Sequence, residues 1–432
     1  MKFKLYIFYY LIVFFFRRNA RYSRKKIMRS QKKGFDRLLV HLRKSEYYKK
    51  FLNGNTELSD FPVTGKKEFM LNFDRINTRG ITLDEVMEMA TKAEKTRDFS
   101  ENFKGITVGL SSGTSGSKGL FLVSERERAQ WVAIILNRVI GFSLRKRKIA
   151  FFLRSNSNLY GSVNSALLKF RFFDLISPLE NQINDLNNFN PDILVGQPSL
   201  LMALATKIKL GRLNIHPKKI ISVAEVLTPE DEGFIEAAFS KNIHQVYQCT
   251  EGFLACTCKY GTLHFNEDLL IVEKKYIDAE KTRFHPIITD LYRITQPVIR
   301  YELDDIIIEK PDCKCGIQTL AAEKIEGRSD DILLFKDREN RPIRIFPDFF
   351  RRAILFSDPE ITDYMVIQSK PGNLKVYINS SKEKTRSRVK HELGALFSYY
   401  NINEPEIDFI NEKPFYHGEK LRRIKNENCK TI

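Results

Sequence analysis

The stretch Leu110–Leu120, LSSGTSGSKGL, gathers three glycines and five hydroxyl side chains around one lysine. Glycine removes the Cβ that keeps a backbone away from a ligand, and Gly113 and Gly116 do so here. Successive peptide N–H groups, with the hydroxyls of Ser111, Ser112, Thr114 and Ser115, can then ring an anion while Lys118 adds a point charge. A polyphosphate suits that cradle. The spacing is not that of a Walker loop. Ser117 separates Gly116 from Lys118, and Gly119 follows the lysine where Ser or Thr would stand. Taken alone, the stretch also reads as a flexible Gly/Ser loop.

Four later stretches change that reading: Tyr247-Gln248-Cys249-Thr250-Glu251-Gly252; Thr289-Asp290-Leu291 through Pro297-Val298-Ile299-Arg300-Tyr301 to Asp305; Gly327-Arg328-Ser329-Asp330-Asp331; and Gly418-Glu419-Lys420-Leu421-Arg422-Arg423. In this order, the five stretches resemble the motifs of the adenylate-forming superfamily: acyl-CoA synthetases, adenylation domains of peptide synthetases and luciferases. The chain most resembles the phenylacetate–CoA ligase-like branch. Within it, the phrases NFDRINTRGIT, AEKTRDFS, QCTEGFLA and LHFNEDLL are similar to adenylate-forming enzymes related to capsule-biosynthesis adenylating proteins. The likeness covers nearly all 432 residues.

The resemblance implies an ATP-dependent ligase. A carboxylate is a poor electrophile, and joining it to AMP supplies a leaving group. Negative charge builds on the α-phosphorus and the departing pyrophosphate, so the protein's work is positioning and countercharge. By resemblance, Ser111–Lys118 take the pyrophosphate end, Tyr247 and Gln248 line the nucleotide pocket, and Thr250 and Glu251 sit at the α-phosphate. Glu251 would hold Mg²⁺, which favours carboxylate oxygen. Asp305 would accept the ribose hydroxyls, Arg328 would approach the ribose or phosphate, and Lys420 would be the mobile catalytic lysine of the C-terminal domain. Two positions depart from the family pattern: Gln248 replaces the usual glycine, and Asp304 replaces the glycine before Asp305. The acyl group would pass to coenzyme A, an acyl carrier or an amine. The acid stays open among aryl, fatty, sugar-uronic and amino acids. Arg154, Asn156, Asn158 and Tyr160, after a strand, are candidates to face it, or are ordinary loop polarity. A non-catalytic nucleotide-binding protein at a membrane surface is the alternative function.

Cys258, His264, Cys313 and Cys315 form a second candidate site. Three thiolates and one imidazole complete a closed tetrahedral zinc site. The branch has a comparable arrangement. Cys256 could stand in for Cys258, and buried free cysteines with a surface histidine are the plain alternative.

These groups need a frame. Strand-like and helical runs alternate from Ile106 to Tyr247, which predicts an α/β fold with a largely parallel sheet. The pattern includes a helix near Ser162–Phe170 and strands near Asp174–Ile176 and Lys219–Val223. Pro229 opens a helix behind Thr228. After His264 short strands follow, among them Val298–Tyr301, as a small β-rich subdomain over about 259–326. The expected organisation is an N-terminal helix over 1–26, a large domain over 27–330 with mostly parallel sheets, and a small mobile α+β lid over 331–432.

Net charge is +18, but residues 1–50 hold 16 Lys/Arg against two acids, a net of +14. The remainder is nearly neutral, which argues against a nucleic-acid substrate. The apolar run Leu5–Phe16 is 12 residues, short of the roughly 20 that span a bilayer. No cleavage site follows it. A helix lying on an anionic membrane surface and a helix packed on the body both stay open. Six cysteines without a secreted spacing predict reduced thiols, hence a cytoplasmic protein, peripheral on the inner membrane face if the first reading holds.

Overall fold

A computed structural model of the chain describes residues 2–96, 98, 101–110, 119–141, 145–153, 168–175, 177–328, 331–355, 357–370, 372–414 and 421–427. It divides into two compact units: Met1–Leu303 with Ile307–Lys324, and Asp304–Ile306 with Ile325–Ile432.

Short apolar runs make the centre of the first unit. Strands β3 (Arg147–Leu153), β4 (Leu168–Asp174), β5 (Ile193–Gly196), β6 (Lys219–Val223) and β7 (Ile243–Cys249) pair in parallel in the order β4-β3-β5-β6-β7. Parallel neighbours need long crossovers, and helices Pro198–Lys209 and Pro229–Phe239 supply two of them. The second begins as its sequence demands. Thr228 Oγ1 accepts from the Asp231 N–H at 3.2 Å, and Pro229 occupies the first turn, where its missing N–H costs nothing. Strand residues alternate between two cores. Leu194 and Ile220 pack on Leu201, Leu204 and Ile235 of those helices. Ile193, Val195 and Ile221 pack on Ala133 and Ile134 of helix Glu125–Ile135 and on Tyr10 and Phe14 near the N-terminus.

After β7 the sheet changes hand. Strand β8 (Gly252–Thr257) returns antiparallel, and β9 (Leu263–Phe265), β10 (Leu270–Tyr276), β11 (Arg283–Asp290), β13 (Asp305–Lys310) and β14 (Ala321–Arg328) extend the same sheet as β10-β11-β13-β14-β9-β8. A two-residue strand, β12 (Tyr301–Glu302), pairs with β11. Separately, β1 (Ile106–Leu110) and β2 (Leu120–Ser124) form an antiparallel pair in which Leu110 faces Leu120, so the two ends of the Gly/Ser run lie side by side.

Two local expectations are corrected. Leu168–Phe170 lie in β4, not in a helix, and that strand ends at Asp174. Phe170 and Phe172 pair in register beside Ile149 and Phe151, a strand periodicity that outweighs the helical spacing. Val298–Arg300 are not strand. Pro297 offers no N–H, Arg300 takes φ +44°, and its N–H donates to Thr289 Oγ1 at 2.9 Å.

The second unit carries an antiparallel pair, β15 (Leu333–Lys336) and β16 (Pro342–Ile345), and a mixed sheet, β19 (Glu406–Ile410), β18 (Asn373–Ile378), β17 (Tyr364–Lys370) and β20 (Ile424–Asn426), in that order. Helices Pro347–Leu355 and Glu383–Tyr399 cover it, burying Phe350, Leu393 and Phe397 against Val366 and Val376.

The chain opens with two helices, α1 (Lys2–Arg17) and α2 (Arg24–Leu42). Among the described residues no helix is long and apolar enough to cross a membrane.

Candidate active site

The turn Thr250–Glu251 lies where the sheet changes from parallel to antiparallel. A register shift between Tyr247 and Gln248 buries Tyr247 and leaves Gln248 exposed. Tyr247 packs edge-on to Phe265, with ring centroids 6.1 Å apart and planes at 82°. Thr250 Oγ1 donates to Glu251 Oε2 at 2.9 Å, and both residues are half-buried. Gly252 permits this turn, since a Cβ there would stand 3.0 Å from Asp290 Oδ2. Asp290 is enclosed. Burial pushes its carboxyl up to about 6, against the N–H groups of Tyr292 and Arg293 and the Arg293 charge.

A buried strut reaches this turn from below. Arg293 donates through Nη1 to the Thr250 carbonyl and through Nη2 to Gln296 Oε1 at 3.1 Å. Gln296 is fully buried, and its Oε1 also accepts from the Leu122 N–H at 3.1 Å. Glu127 completes the frame. Its Oε1 accepts from the N–H groups of Ile294 (2.6 Å) and Thr295 (2.8 Å), while its Oε2 accepts from the Ser124 N–H at 2.8 Å. The turn bearing Thr250 and Glu251 is thereby tied to β2, the strand that leaves the Gly/Ser run. The motif reading passed over Arg293, Gln296 and Glu127. The one available signal was an Arg and a Gln inside the Thr289–Pro297 stretch.

In the second unit, Arg328 Nη2 meets Asp304 Oδ2 at 3.1 Å, and the Arg328 N–H donates to Asp331 Oδ2 at 2.9 Å. Arg422 donates through Nε to Asp331 Oδ1 at 2.7 Å, so the fourth and fifth motif stretches meet. Asp304, the residue that departs from the family pattern, is the partner of Arg328; Asp305 beside it is half-buried. Ser111, Ser112, Gly113, Thr114, Ser115, Gly116, Lys118 and Lys420 lie outside the described residues, as do Arg154, Asn156, Asn158 and Tyr160.

The four metal candidates do come together. One donor atom each from Cys258, His264, Cys313 and Cys315 lie within 4.8 Å of one another. Cys258 Sγ is 3.7 Å from Cys313 Sγ, and Cys315 Sγ is 3.3 Å from His264 Nε2. Ligands about 2.1–2.3 Å from a tetrahedral centre stand about 3.4–3.8 Å apart, so these two pairs are near the spacing of a tetrahedral zinc set. Two turns present the sulfurs, and glycines at positive φ close both: Gly261 (+78°) after Cys258 and Gly316 (+79°) after Cys315. The N–H groups of Tyr260 and Ile317 each point at a sulfur at 3.4 Å. Burial, then Arg21, lowers the His264 pKa to about 4, so the imidazole is neutral as a ligand must be. Burial opposes the Cys313 thiolate, but hydrogen bonds from Thr262 and the Cys315 backbone outweigh it and bring that thiol down to about 7, while burial and the neighbouring thiols push Cys315 up to about 11. Cys256 is not in the set; it is buried in the sheet core.

The fold is that of adenylate-forming ligases. A crystal structure of 2-hydroxyisobutyryl-CoA ligase in the postadenylation state, in complex with R3-HIB-AMP, superposes with a TM-score of 0.66 at 14% identity, covering 94% of this chain and 90% of that one. In sequence the chain is similar to Protein CapK of Staphylococcus aureus, 26% identical over 253 residues, which are 56% of this chain and 55% of that protein. It is also similar to the phenylacetate-coenzyme A ligase of Pseudomonas putida, 22% identical over 317 residues, 69% of this chain and 66% of that enzyme. The chain thus spans about half the length of the first of these relatives and just under two thirds of the second. No family model matches it. Fold and sequence together support the adenylate-forming superfamily, on its phenylacetate–CoA ligase-like side.

Proposed function

We propose that this protein is an AMP-forming ligase. A carboxylate oxygen attacks the α-phosphorus of ATP, the bond to the β-phosphate breaks, and pyrophosphate leaves. A thiol or amine then adds to the acyl carbonyl and AMP leaves. The observation that carries this reading is the Thr250–Glu251 turn, held by Arg293 and closely approached at Gly252 by Asp290, at the change from parallel to antiparallel pairing of an adenylate-forming fold. Thr250 Oγ1 supplies a hydrogen-bond donor for the α-phosphate once it turns from Glu251. The Glu251 carboxylate is a hard oxygen donor for Mg²⁺, which supplies countercharge to the phosphates. Lys118 and the Gly/Ser run serve the pyrophosphate end, Asp305 the ribose, Arg328 the ribose or phosphate, and Lys420 the reacting carboxylate. Coenzyme A is the favoured acceptor, because the structural neighbour is a CoA ligase; an acyl carrier or amine is the second arm of the test.

Pyrophosphate release across a panel of carboxylic acids, with acceptors omitted and then added, tests the reading. Labelled pyrophosphate exchanging into ATP with one acid class is the expected result. ATP binding without exchange for any acid would instead favour a non-catalytic nucleotide-binding protein.

Two further assignments accompany it. Cys258, His264, Cys313 and Cys315 hold a structural zinc ion. Protein purified without chelator is expected to carry about one zinc per chain by metal analysis, and Cys258→Ser with Cys313→Ser to carry none. Zinc-free wild type would remove the assignment. The protein is assigned to the cytoplasm, with peripheral contact on the inner face of the membrane if its N-terminal helix meets lipid.

A further inference from the structure

We propose that α1 docks its outward face on an anionic lipid bilayer while its inward face stays seated on the body. The proposal concerns attachment and deepens the peripheral contact just assigned; it rests on no catalytic residue.

Helix α1 has two different faces. Phe3, Tyr10 and Phe14 are buried. Phe3 packs with Ala129 and Val132, and Tyr10 and Phe14 with Ala133 and Ile134, all on helix Glu125–Ile135. Arg126 Nε donates to the Tyr10 hydroxyl at 2.7 Å, and Arg17 to the Tyr292 hydroxyl. The seated face is therefore fixed by both packing and hydrogen bonds.

The opposite face carries Leu5, Phe8, Tyr9, Ile12, Phe15 and Phe16, all exposed, with Phe8 at 65% and Phe16 at 78%. They recur at the spacing of one helical stripe. Among the described residues, nine of the sixteen large apolar side chains left exposed lie in the first 28 positions. Single exposed apolar residues need no explanation, but a contiguous patch of this kind marks an interaction surface.

Charge selects the occupant. Lys2, Lys4 and Arg18 on α1 and the turn after it, and Lys25, Lys26 and Arg29 on α2, are all exposed. The Arg18 guanidinium lies over the Phe15 ring at 4.3 Å. An apolar aromatic stripe bordered by cations matches the headgroup boundary of an anionic bilayer, where rings enter the acyl edge and Lys/Arg meet lipid phosphate. A helix of 16 residues lies along that boundary and does not cross it.

Co-sedimentation of the full chain with vesicles tests this. Binding is expected to mixed phosphatidylserine–phosphatidylcholine vesicles and not to phosphatidylcholine alone. It should fall at least about tenfold between about 0.1 M and 1 M salt, as the screening length drops from roughly 10 to 3 Å. The triple variant Phe8→Ser, Ile12→Ser, Phe15→Ser should lose about tenfold or more in affinity for the mixed vesicles. Trp131, the single tryptophan, packs at the seated face beside Phe3 and reports on it. Unchanged Trp131 emission in the variant places the loss on the outer face. The lipid and salt arms use wild-type protein and hold whatever the variant does. Wild type that ignores mixed vesicles overturns the proposal. So does a variant that binds like wild type, or a lipid-free self-association that the variant abolishes, which would assign the face to a second copy of the chain.

Discussion

Glu251→Gln is expected to cut ATP–pyrophosphate exchange by about two to three orders of magnitude while leaving the protein folded. The substitution keeps the shape of the side chain and an oxygen that can still accept from Thr250 Oγ1, 2.9 Å away in the parent. It removes only the negative charge, and with it the hard donor proposed for Mg²⁺. Because Glu251 is half-buried and has no structural ion pair among its described contacts, thermal unfolding should move little. Asp305→Ala should lower exchange by a comparable factor through the ribose, read as a raised KM for ATP with a smaller change in kcat. Initial rates of exchange at saturating and limiting ATP separate the two. If both variants exchanged at the parental rate, neither residue would belong to the site.

Arg293→Met is expected to damage the site without touching the nucleotide. The guanidinium holds the Thr250 carbonyl and Gln296 Oε1, and it lies close enough to Asp290 to lower that carboxyl's pKa. Methionine fills much of the volume and supplies no donor, so the Thr250 carbonyl loses its charged partner, at about 1–3 kcal/mol, and Gln296 Oε1 keeps only the Leu122 N–H. Stability should drop by about 2–5 kcal/mol, measured by urea unfolding. Loss of kcat in exchange should exceed any rise in KM, because on the proposed assignment the displaced turn is the one that meets the reacting atoms. Arg293→Lys restores charge but not the fork, and should recover part of the stability and less of the rate. A Met variant with parental stability and parental kcat would show that the strut positions nothing.

The parts of this site that announce themselves in the sequence are those with fixed chemistry at short range. Gly-rich runs, a Thr-Glu pair at a strand end and paired cysteines can be read because neighbours along the chain do the work. Cys258 and His264 were legible in this way, and so was Pro229 behind Thr228. The strut was not. Arg293 reaches Thr250 across 43 positions and Gln296 reaches Leu122 across 174, and no local pattern encodes such a distance. The β4 misreading has a related cause. Phe170 and Phe172 suit a helix or a strand, and only the parallel neighbour Arg147–Leu153 decides between them. The two-faced N-terminal helix was half legible. Its apolar and basic residues were plain, but which aromatic rings are seated depends on helix Glu125–Ile135, more than a hundred residues away.

The change of hand after β7 also bears on the order in which the protein assembles. Each parallel neighbour in β4-β3-β5-β6-β7 must wait for an intervening segment to close, and such closures are slow because chain entropy is lost before contacts form. β7, β8 and β9, by contrast, are consecutive in the chain and adjacent in space, as are β10 and β11. Their loops are short and their pairings local. The turn that carries Thr250 and Glu251 therefore belongs to a meander that can form early, and the slow parallel half would then be laid down against an edge that already bears both residues.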